Sequence, residues 1–269
     1  MPVKITHYDL FAGIGGFSYA IDEVFGKKNV KHIFVEINQF CQAVLKKHWR
    51  DGELYGDIRE FNTYIEQTQK TQTIEENNLQ ILTGGFPCQP FSTAGHKKGT
   101  EDDRYLWSEM FRTIQLIRPQ WVVAENVYGI LTTQGGLAFQ QVWSDMETEG
   151  YEVQSFIIPA VSVNAPHRRN RVWIVAHTCS KGLEGKDHQR RQNSRHNRKN
   201  WDRDWKEVAF ECCVCELDDG LSRRMVQLSN GTKISVSKWR NESLNAFGNA
   251  IVPQVAMKIF EAIKYTINI

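Results

Sequence analysis

The sequence predicts an α/β protein: a sheet with helices on both faces, formed by most of the chain, plus a small second domain towards its end. Three observations carry this. Apolar runs at 5–11, 33–35, 79–82, 121–124, 153–158 and 171–176 alternate with segments of helical periodicity. Several of these runs end in glycines or in a carboxylate, as strands do where they deliver chemistry to a sheet edge. Composition then changes abruptly at His177, from strand-like to basic and polar.

The first unit is an apolar run, 5–11, that leads into Ala12-Gly13-Ile14-Gly15-Gly16-Phe17. Phe17, Ala20, Ile21, Val24 and Phe25 follow at helical spacing, which gives strand, glycine turn and helix. Gly13 and Gly15 allow close approach of a ligand to the helix N-terminus. The strand at 33–35 delivers Glu36. An acid about 20 residues beyond such glycines can hold the two ribose hydroxyls of a nucleotide-like cofactor. The pattern is not G-x-G-x-x-G, which argues against a dinucleotide and suits a cofactor without pyrophosphate. A glycine turn with no ligand is the plainer alternative.

A helix is expected over 39–48. Residues 54–58 then place Asp57 at a strand end, where it can meet an adenine amino group, close a turn or cap a helix. Residues 62–78, rich in Gln, Thr and Asn, read as a helix with loose flanks. The strand at 79–82 runs into Gly84-Gly85-Phe86-Pro87-Cys88-Gln89-Pro90-Phe91-Ser92. The glycines permit a turn, and Pro87 and Pro90 fix φ around Cys88 and Gln89, so the thiol is held rigidly. It is placed as a nucleophile; a buried cysteine in a proline-rich turn has the same pattern.

Residues 92–103, with two glycines and Lys97-Lys98, are expected to form a mobile loop able to close over a substrate. Leu106, Trp107, Met110, Phe111, Ile114 and Ile117 mark the next helix. The strand at 121–124 ends in Glu125-Asn126-Val127, on the sheet edge expected to carry Cys88. Burial beside that strand would raise the Glu125 pKa and let it give a proton near neutrality; a solvated glutamate, or one capping a helix over 137–149, is the alternative. Between the strands at 153–158 and 171–176 runs the basic turn Ala165-Pro166-His167-Arg168-Arg169-Asn170-Arg171. Arg169 and Arg171 share one face and suit phosphate or a base edge, or form a solvated charge run.

From Thr178 to Lys206 there are nine Lys or Arg against four Asp or Glu, with Trp201 and Trp205 and few aliphatics. This suits a nucleic-acid surface, although a disordered loop has the same composition. Residues 177–244 are taken as the second domain, with short strands expected around 232–239. Ala246-Phe247-Gly248-Asn249-Ala250 and a proline-initiated helix to about 267 return to the main sheet. No apolar run nears the roughly 20 residues of a membrane helix and no signal pattern opens the chain, so a cytoplasmic protein is expected. The six cysteines lack a disulfide or zinc-ligand arrangement, and no metal is expected.

The ordered set Asp9-Leu10-Phe11-Ala12-Gly13-Ile14-Gly15-Gly16-Phe17, Glu36, Gly56-Asp57-Ile58, Pro87-Cys88-Gln89-Pro90-Phe91-Ser92, Glu125-Asn126-Val127, Arg169-x-Arg171 and Gly248-Asn249-Ala250 resembles the DNA (cytosine-5) methyltransferase family over residues 5–176 and 245–265. The resemblance implies a Rossmann-like S-adenosylmethionine-dependent methyltransferase sheet over 1–176, completed by 245–269, with a target recognition domain at 177–244. It implies that Phe11 packs on the cofactor's adenine, that Gly13 and Gly15 admit its methionine end, that Glu36 binds the ribose and Asp57 the adenine, and that Pro87 and Asn249 complete the site. Cys88 would add to C6 of a flipped cytosine while Glu125 hydrogen-bonds N3 and the exocyclic amine. C5 would take the methyl group, leaving S-adenosylhomocysteine, and loss of the C5 proton would then expel Cys88. Arg169 and Arg171 match the arginine motif beside the base. Gln89, Ser92, Arg190, Arg191, Arg195 and Arg198 are assigned to DNA.

Two departures stand out. His167 occupies a position where the family usually has Gln, and the recognition segment is short, with Leu221-Ser222-Arg223-Arg224 as a remnant of its usual arginine motif. The expectation is a monomeric, prokaryotic or phage-encoded methylase of duplex DNA, nucleoid-associated, of a restriction-modification or phage system with a possible separate endonuclease. RNA as substrate, or cofactor-dependent DNA recognition without turnover, are the alternatives.

Overall fold

Seven strands form one mixed sheet in the order β3-β2-β1-β4-β5-β7-β6. The structure, a computed structural model, describes residues 4–68, 78–87, 106–165, 169–178, 225–227 and 233–267. In chain order the strands are β1 (Lys4–Leu10), β2 (Val30–Val35), β3 (Glu53–Tyr55), β4 (Asn78–Gly84), β5 (Trp121–Val127), β6 (Tyr151–Pro159) and β7 (Asn170–Thr178). The first five are mutually parallel, while β7 inserts antiparallel between β5 and β6. The chain builds outward from β1 to β3 and then returns to place β4 on the other side of β1. Ligands of open α/β sheets bind at such a reversal, outside the strand C-termini.

Side-chain alternation along the strands assigns the faces. Leu82, Val122, Ala124, Val172 and Ile174 point to one face, where α3 (Ile58–Thr68), α4 (Trp107–Ile117) and α5 (Leu137–Thr148) cover them. Their neighbours Ile81, Val123 and Trp173 point to the other, against α1 (Gly16–Phe25) and α7 (Pro253–Thr266). Phe260 of α7 is fully buried there, and Phe17 meets Trp173 edge-on with centroids 5.9 Å apart. Beside this layer, α2 (Gln39–His48) buries Leu45 with Phe34 and Ala12. Its N-terminus is capped by Asn38, whose side chain accepts from the amides of Phe40 and Cys41.

The face towards α1 also carries a polar stripe. His7, Asp9 and Thr83 share the parity of Ile5 and Ile81, and the register sets His7 opposite His32 and Asp9 opposite Thr83. Ser18 and Thr83 donate to the two Asp9 oxygens at 2.6 and 3.0 Å, while the His7 ring lies 2.8 Å from Thr83 Oγ1 and 3.1 Å from His32. His32 reaches Asp22, which also accepts from Trp49. Burial raises Asp9 to about 7, against the hydrogen bonds from Ser18 and Thr83.

Two expected boundaries are corrected. The helix placed over 62–78 is α3, which starts at Ile58, and a strand begins at Asn78. Asp57 sets that start: its carboxylate accepts from Arg59 N and its carbonyl from Phe61 N. Of the short strands expected around 232–239, β9 (Lys233–Ser235) is found, paired with β8 (Met225–Gln227) from outside that range, and α6 (Val236–Asn249) occupies the remainder. Docking decides this over local propensity, since Trp239 meets Phe40 and Glu242 meets Asn38, both on the neighbouring α2 region.

Candidate active site

At the C-terminal edge of β1, β2, β4 and β5 lies a cavity of about 210 Å³. Phe11, Gly13 and Gly16 line it from the turn after β1, Glu36 from the end of β2, Gly85 from the end of β4 and Glu125 from β5. Glu242, Asn245 and Asn249 close it from α6. The groups from β1, β2 and β4 are there because those strands end beside the cavity, whereas Glu242, Asn245 and Asn249 come from a helix. The parallel register of β4 and β5 pairs Gly84 with Ala124, so Gly85, just past the end of β4, stands beside Glu125, which is still paired with Trp173 of β7.

The turn after β1 is tightly determined. Phe11 has φ 54°, a left-handed conformation uncommon for a residue with a side chain. Gly15 has φ 87°, and a Cβ there would lie 2.6 Å from the Trp49 ring. Gly13 differs: its φ is also positive, but nothing lies within 4 Å of where a Cβ would be. The turn thus packs tightly at Gly15 and leaves open space at Gly13.

Glu36 is fixed from both sides. Oε2 accepts from Gly13 N and Oε1 from Asn38 N, both at 2.7 Å. Burial raises its pKa, partly offset by the amides of Asn38, Gly13 and Ile37. Glu125 is 7% exposed, and burial also raises its pKa, against the pull of Arg171 and Arg169. Arg171 Nε lies 2.8 Å from Glu125 Oε1, although that oxygen has no hydrogen bond of good geometry among the described residues. A Cβ on Gly85 would lie 3.6 Å from Glu125 Oε2, an ordinary van der Waals contact, so the Gly85 backbone and the carboxylate are close neighbours in the site. Asn126 completes the edge by donating to Phe86 O, which pins the segment that leads to Cys88.

Arg169 faces the chain's closing segment. Its guanidinium donates to Gly248 O at 2.7 Å and Ala250 O at 2.6 Å, and so ties the α6–α7 junction to the start of β7. Burial and the neighbouring Arg171 lower its pKa. Phe11, Gly13, Glu36, Glu125 and Asn249 are thus brought together around one cavity. Gly15, Asp57, Pro87, Arg169 and Arg171 do not line it; Asp57 caps α3. Cys88, Gln89, Ser92, His167, Arg190, Arg191, Arg195 and Arg198 lie outside the described residues, as do the loop expected at 92–103 and Cys212 to Cys215.

Sequence reasoning missed Asn38, Cys41, Glu242 and Asn245. The signal for Glu242 was its spacing: it precedes Asn249 by seven residues, two helical turns, on the same face of α6. Cys41 is buried, and burial together with Glu36 and Glu242 pushes its thiol up to about 12. It is therefore no nucleophile near neutrality. Among the described residues no group of His, Cys, Asp or Glu could hold a metal ion, and no helix is long and apolar enough to cross a membrane.

The sheet, its helices on both faces and the cavity at the reversal define the fold of the S-adenosylmethionine-dependent methyltransferases. A prophage-encoded protein of E. coli assigned as a DNA modification methyltransferase superposes with TM-score 0.53 at 21% identity, covering 68% of this chain and 49% of that one. A mutant of DNMT2 from Spodoptera frugiperda gives TM-score 0.50 at 18% identity, covering 68% and 53%. The family model "C-5 cytosine-specific DNA methylase" matches residues 5–225, and the chain belongs to that family. It is 35% identical over 177 residues to the Type II methyltransferase M1.ScrFI of Lactococcus lactis subsp. cremoris, covering 64% of this chain and 41% of that relative. M.DsaV of Dactylococcopsis salina is 34% identical over 174 residues, covering 64% and 45%. The chain spans less than half the length of either relative.

Proposed function

We propose that this chain transfers the methyl group of S-adenosylmethionine to C5 of cytosine in a specific site of duplex DNA, as a modification enzyme of the Type II kind. The observation that carries the reading is the placement of Glu125. A buried carboxylate with a raised pKa, held beside Arg171, shares one cavity with Glu36 and the Gly13 turn. The residues fit the cofactor: Gly13 leaves open space, Glu36 is oriented by two amides, and the lining offers carboxylates to a ligand that carries a sulfonium and an ammonium group.

When bound, S-adenosylmethionine supplies an electrophilic methyl group to C5. Cys88, three residues beyond Gly85, adds its thiolate to C6 of a cytosine rotated out of the helix. Glu125 donates a proton towards N3 and accepts from the exocyclic amine, which relieves the charge that addition puts on the ring. Arg171 holds the Glu125 carboxylate in place, and Arg169 acts at one remove by fixing the segment that carries Asn249. Loss of the C5 proton then expels Cys88. Residues 177–244 are the target recognition domain in this reading. Its net charge of +5 over 178–206 suits phosphate contacts by Arg190, Arg191, Arg195 and Arg198.

The test is transfer of labelled methyl groups from S-adenosylmethionine to duplex DNA. The native chain is expected to form 5-methylcytosine, and Cys88→Ala to abolish transfer while leaving DNA binding largely intact. Equal transfer by the variant would sink the mechanism, and transfer to RNA alone would replace the substrate.

A further inference from the structure

The turn after β1 rests on a side chain that the catalytic reading does not use. A Cβ at Gly15 would lie 2.6 Å from Cζ3 and 2.7 Å from Cη2 of Trp49, and 3.1 Å from Leu45 Cδ2, so the edge of the indole sits directly against the backbone of the turn. Trp49 closes α2 as its C-terminal cap and stands outside the cavity lining. The other end of the same indole is tethered, since Nε1 donates to Asp22 Oδ2 at 2.8 Å. Gly15 and Asp22 are seven residues apart, two helical turns, and so lie on one face of α1. One rigid ring thus braces α1 at its cap and again two turns later.

The tether is itself fixed. Asp22 Oδ1 lies 2.8 Å from His32 Nε2, and His32 in turn meets the His7 ring at 3.1 Å within the buried polar stripe. On its other sides the indole packs against Phe34, with centroids 5.6 Å apart, and under Lys27, whose Nζ lies 5.9 Å from the ring centre while it donates to His48 O. The position of the ring is passed on through the backbone. Gly15 N donates to Ala12 O at 2.9 Å, which closes the turn around Gly13, and Gly13 N donates to Glu36 Oε2 at 2.7 Å. A shift of Gly15 therefore moves the amide that orients Glu36.

Resting on the cofactor reading above, we infer that Trp49 is a positioning residue for S-adenosylmethionine: its indole, anchored on Asp22, holds the Gly15 end of the turn so that Gly13 and Glu36 are set to receive the cofactor. It acts through Gly15, from behind the turn and outside the cavity. Such preorganisation governs binding more than the chemical step. Glu125 stands on β5, which β1 and β4 separate from the strand that the indole packs against. Loss of the tether, one hydrogen bond to a carboxylate, corresponds to about tenfold in affinity.

The experiment compares the full chain, native and as Trp49→Phe, Asp22→Ala and Asp22→Asn. Isothermal titration gives the Kd for S-adenosylmethionine, and transfer of labelled methyl groups to unmethylated genomic DNA at varied cofactor concentration gives KM and kcat. Phe is too short to reach both Gly15 and Asp22, and Ala removes the acceptor, whereas Asn keeps an oxygen for the indole and turns its amide to His32. Trp49→Phe and Asp22→Ala are expected to raise Kd and KM about tenfold and to leave kcat at saturating cofactor within about twofold, with Asp22→Asn within about threefold of native throughout. A merely structural role would lower the folded fraction, and so kcat, at unchanged KM and Kd. That result would overturn the inference, as would native-like constants in Trp49→Phe or Asp22→Ala. A native chain that binds no S-adenosylmethionine would overturn the cofactor reading and this inference with it, which sets that outcome apart from the others.

Discussion

Asp9 gives the structure's most quantitative prediction. Its carboxylate is wholly buried between β1 and α1, and its pKa rises from 3.8 to about 7. The folded protein thus binds this proton more tightly than the unfolded chain. The stability it contributes is fully present below about pH 3.8 and is lost as pH rises through about 7. At about 1.36 kcal/mol per pH unit the whole loss is roughly 4 kcal/mol, of which about 3 kcal/mol falls between pH 4.5 and 8.5. Asp9→Asn removes that titration at nearly constant volume. The Asn oxygen can accept from Ser18, and its amide can donate to Thr83, whose hydroxyl then turns to His7. His7 has its pKa lowered by burial and by His32, so it acts in the opposite direction and loses stability on acidification. The difference between variant and native protein is therefore the quantity to measure. Urea unfolding followed by tryptophan fluorescence should show the stability of Asp9→Asn, relative to native, rising by about 3 kcal/mol from pH 4.5 to pH 8.5. Parallel curves, constant to within about 0.5 kcal/mol, would mean that Asp9 ionises alike in both states and would refute the argument.

Three further outcomes follow from the site. Glu36→Gln leaves one backbone amide facing a donor in place of an oxygen, and should weaken S-adenosylmethionine binding by about 10- to 100-fold, read by calorimetry. Unchanged affinity would remove Glu36 from the cofactor site. Gly15→Ala puts a Cβ at φ 87° and 2.6 Å from the Trp49 ring, so a loss of about 2 kcal/mol or more is expected in thermal or urea unfolding, whereas Gly13→Ala, in open space, should cost less. Arg169→Ala frees two carbonyls at the α6–α7 junction and should cost about 2–4 kcal/mol, with Arg169→Lys recovering only part because an ammonium cannot bridge Gly248 O and Ala250 O as the guanidinium does. Full recovery with Lys would mean that charge, and not the fork, holds the segment.

The strands were legible because their apolar runs are buried on both faces, as Ile81 beside Leu82 and Val122 beside Val123 show. Carboxylates at the ends of such runs were legible too, and Glu36 and Glu125 do meet in one cavity. What stayed open was information held in side-chain contacts, local and tertiary. Asp57 could have been a ligand residue or a cap, and only the amide of Arg59 against its carboxylate decides what it contacts here. Val236 to Trp239 read as extended because β-branched and aromatic residues favour strands, whereas packing of Trp239 on Phe40 makes them helix. With that helix unread, the seven-residue spacing that puts Glu242 in line with Asn249 had no face to belong to. The stripe of His7, Asp9 and Thr83 was hidden for another reason. Polar residues in an apolar strand acquire meaning only once register places their partners across it.

The most direct test of the central claim is to express the chain, and separately its Cys88→Ala variant, in a host that lacks cytosine methylation, and to map 5-methylcytosine across the genome by bisulfite sequencing. The account predicts one short recurring motif methylated by the native chain and none by the variant. A soluble native chain that binds S-adenosylmethionine yet leaves the genome unmarked would contradict it.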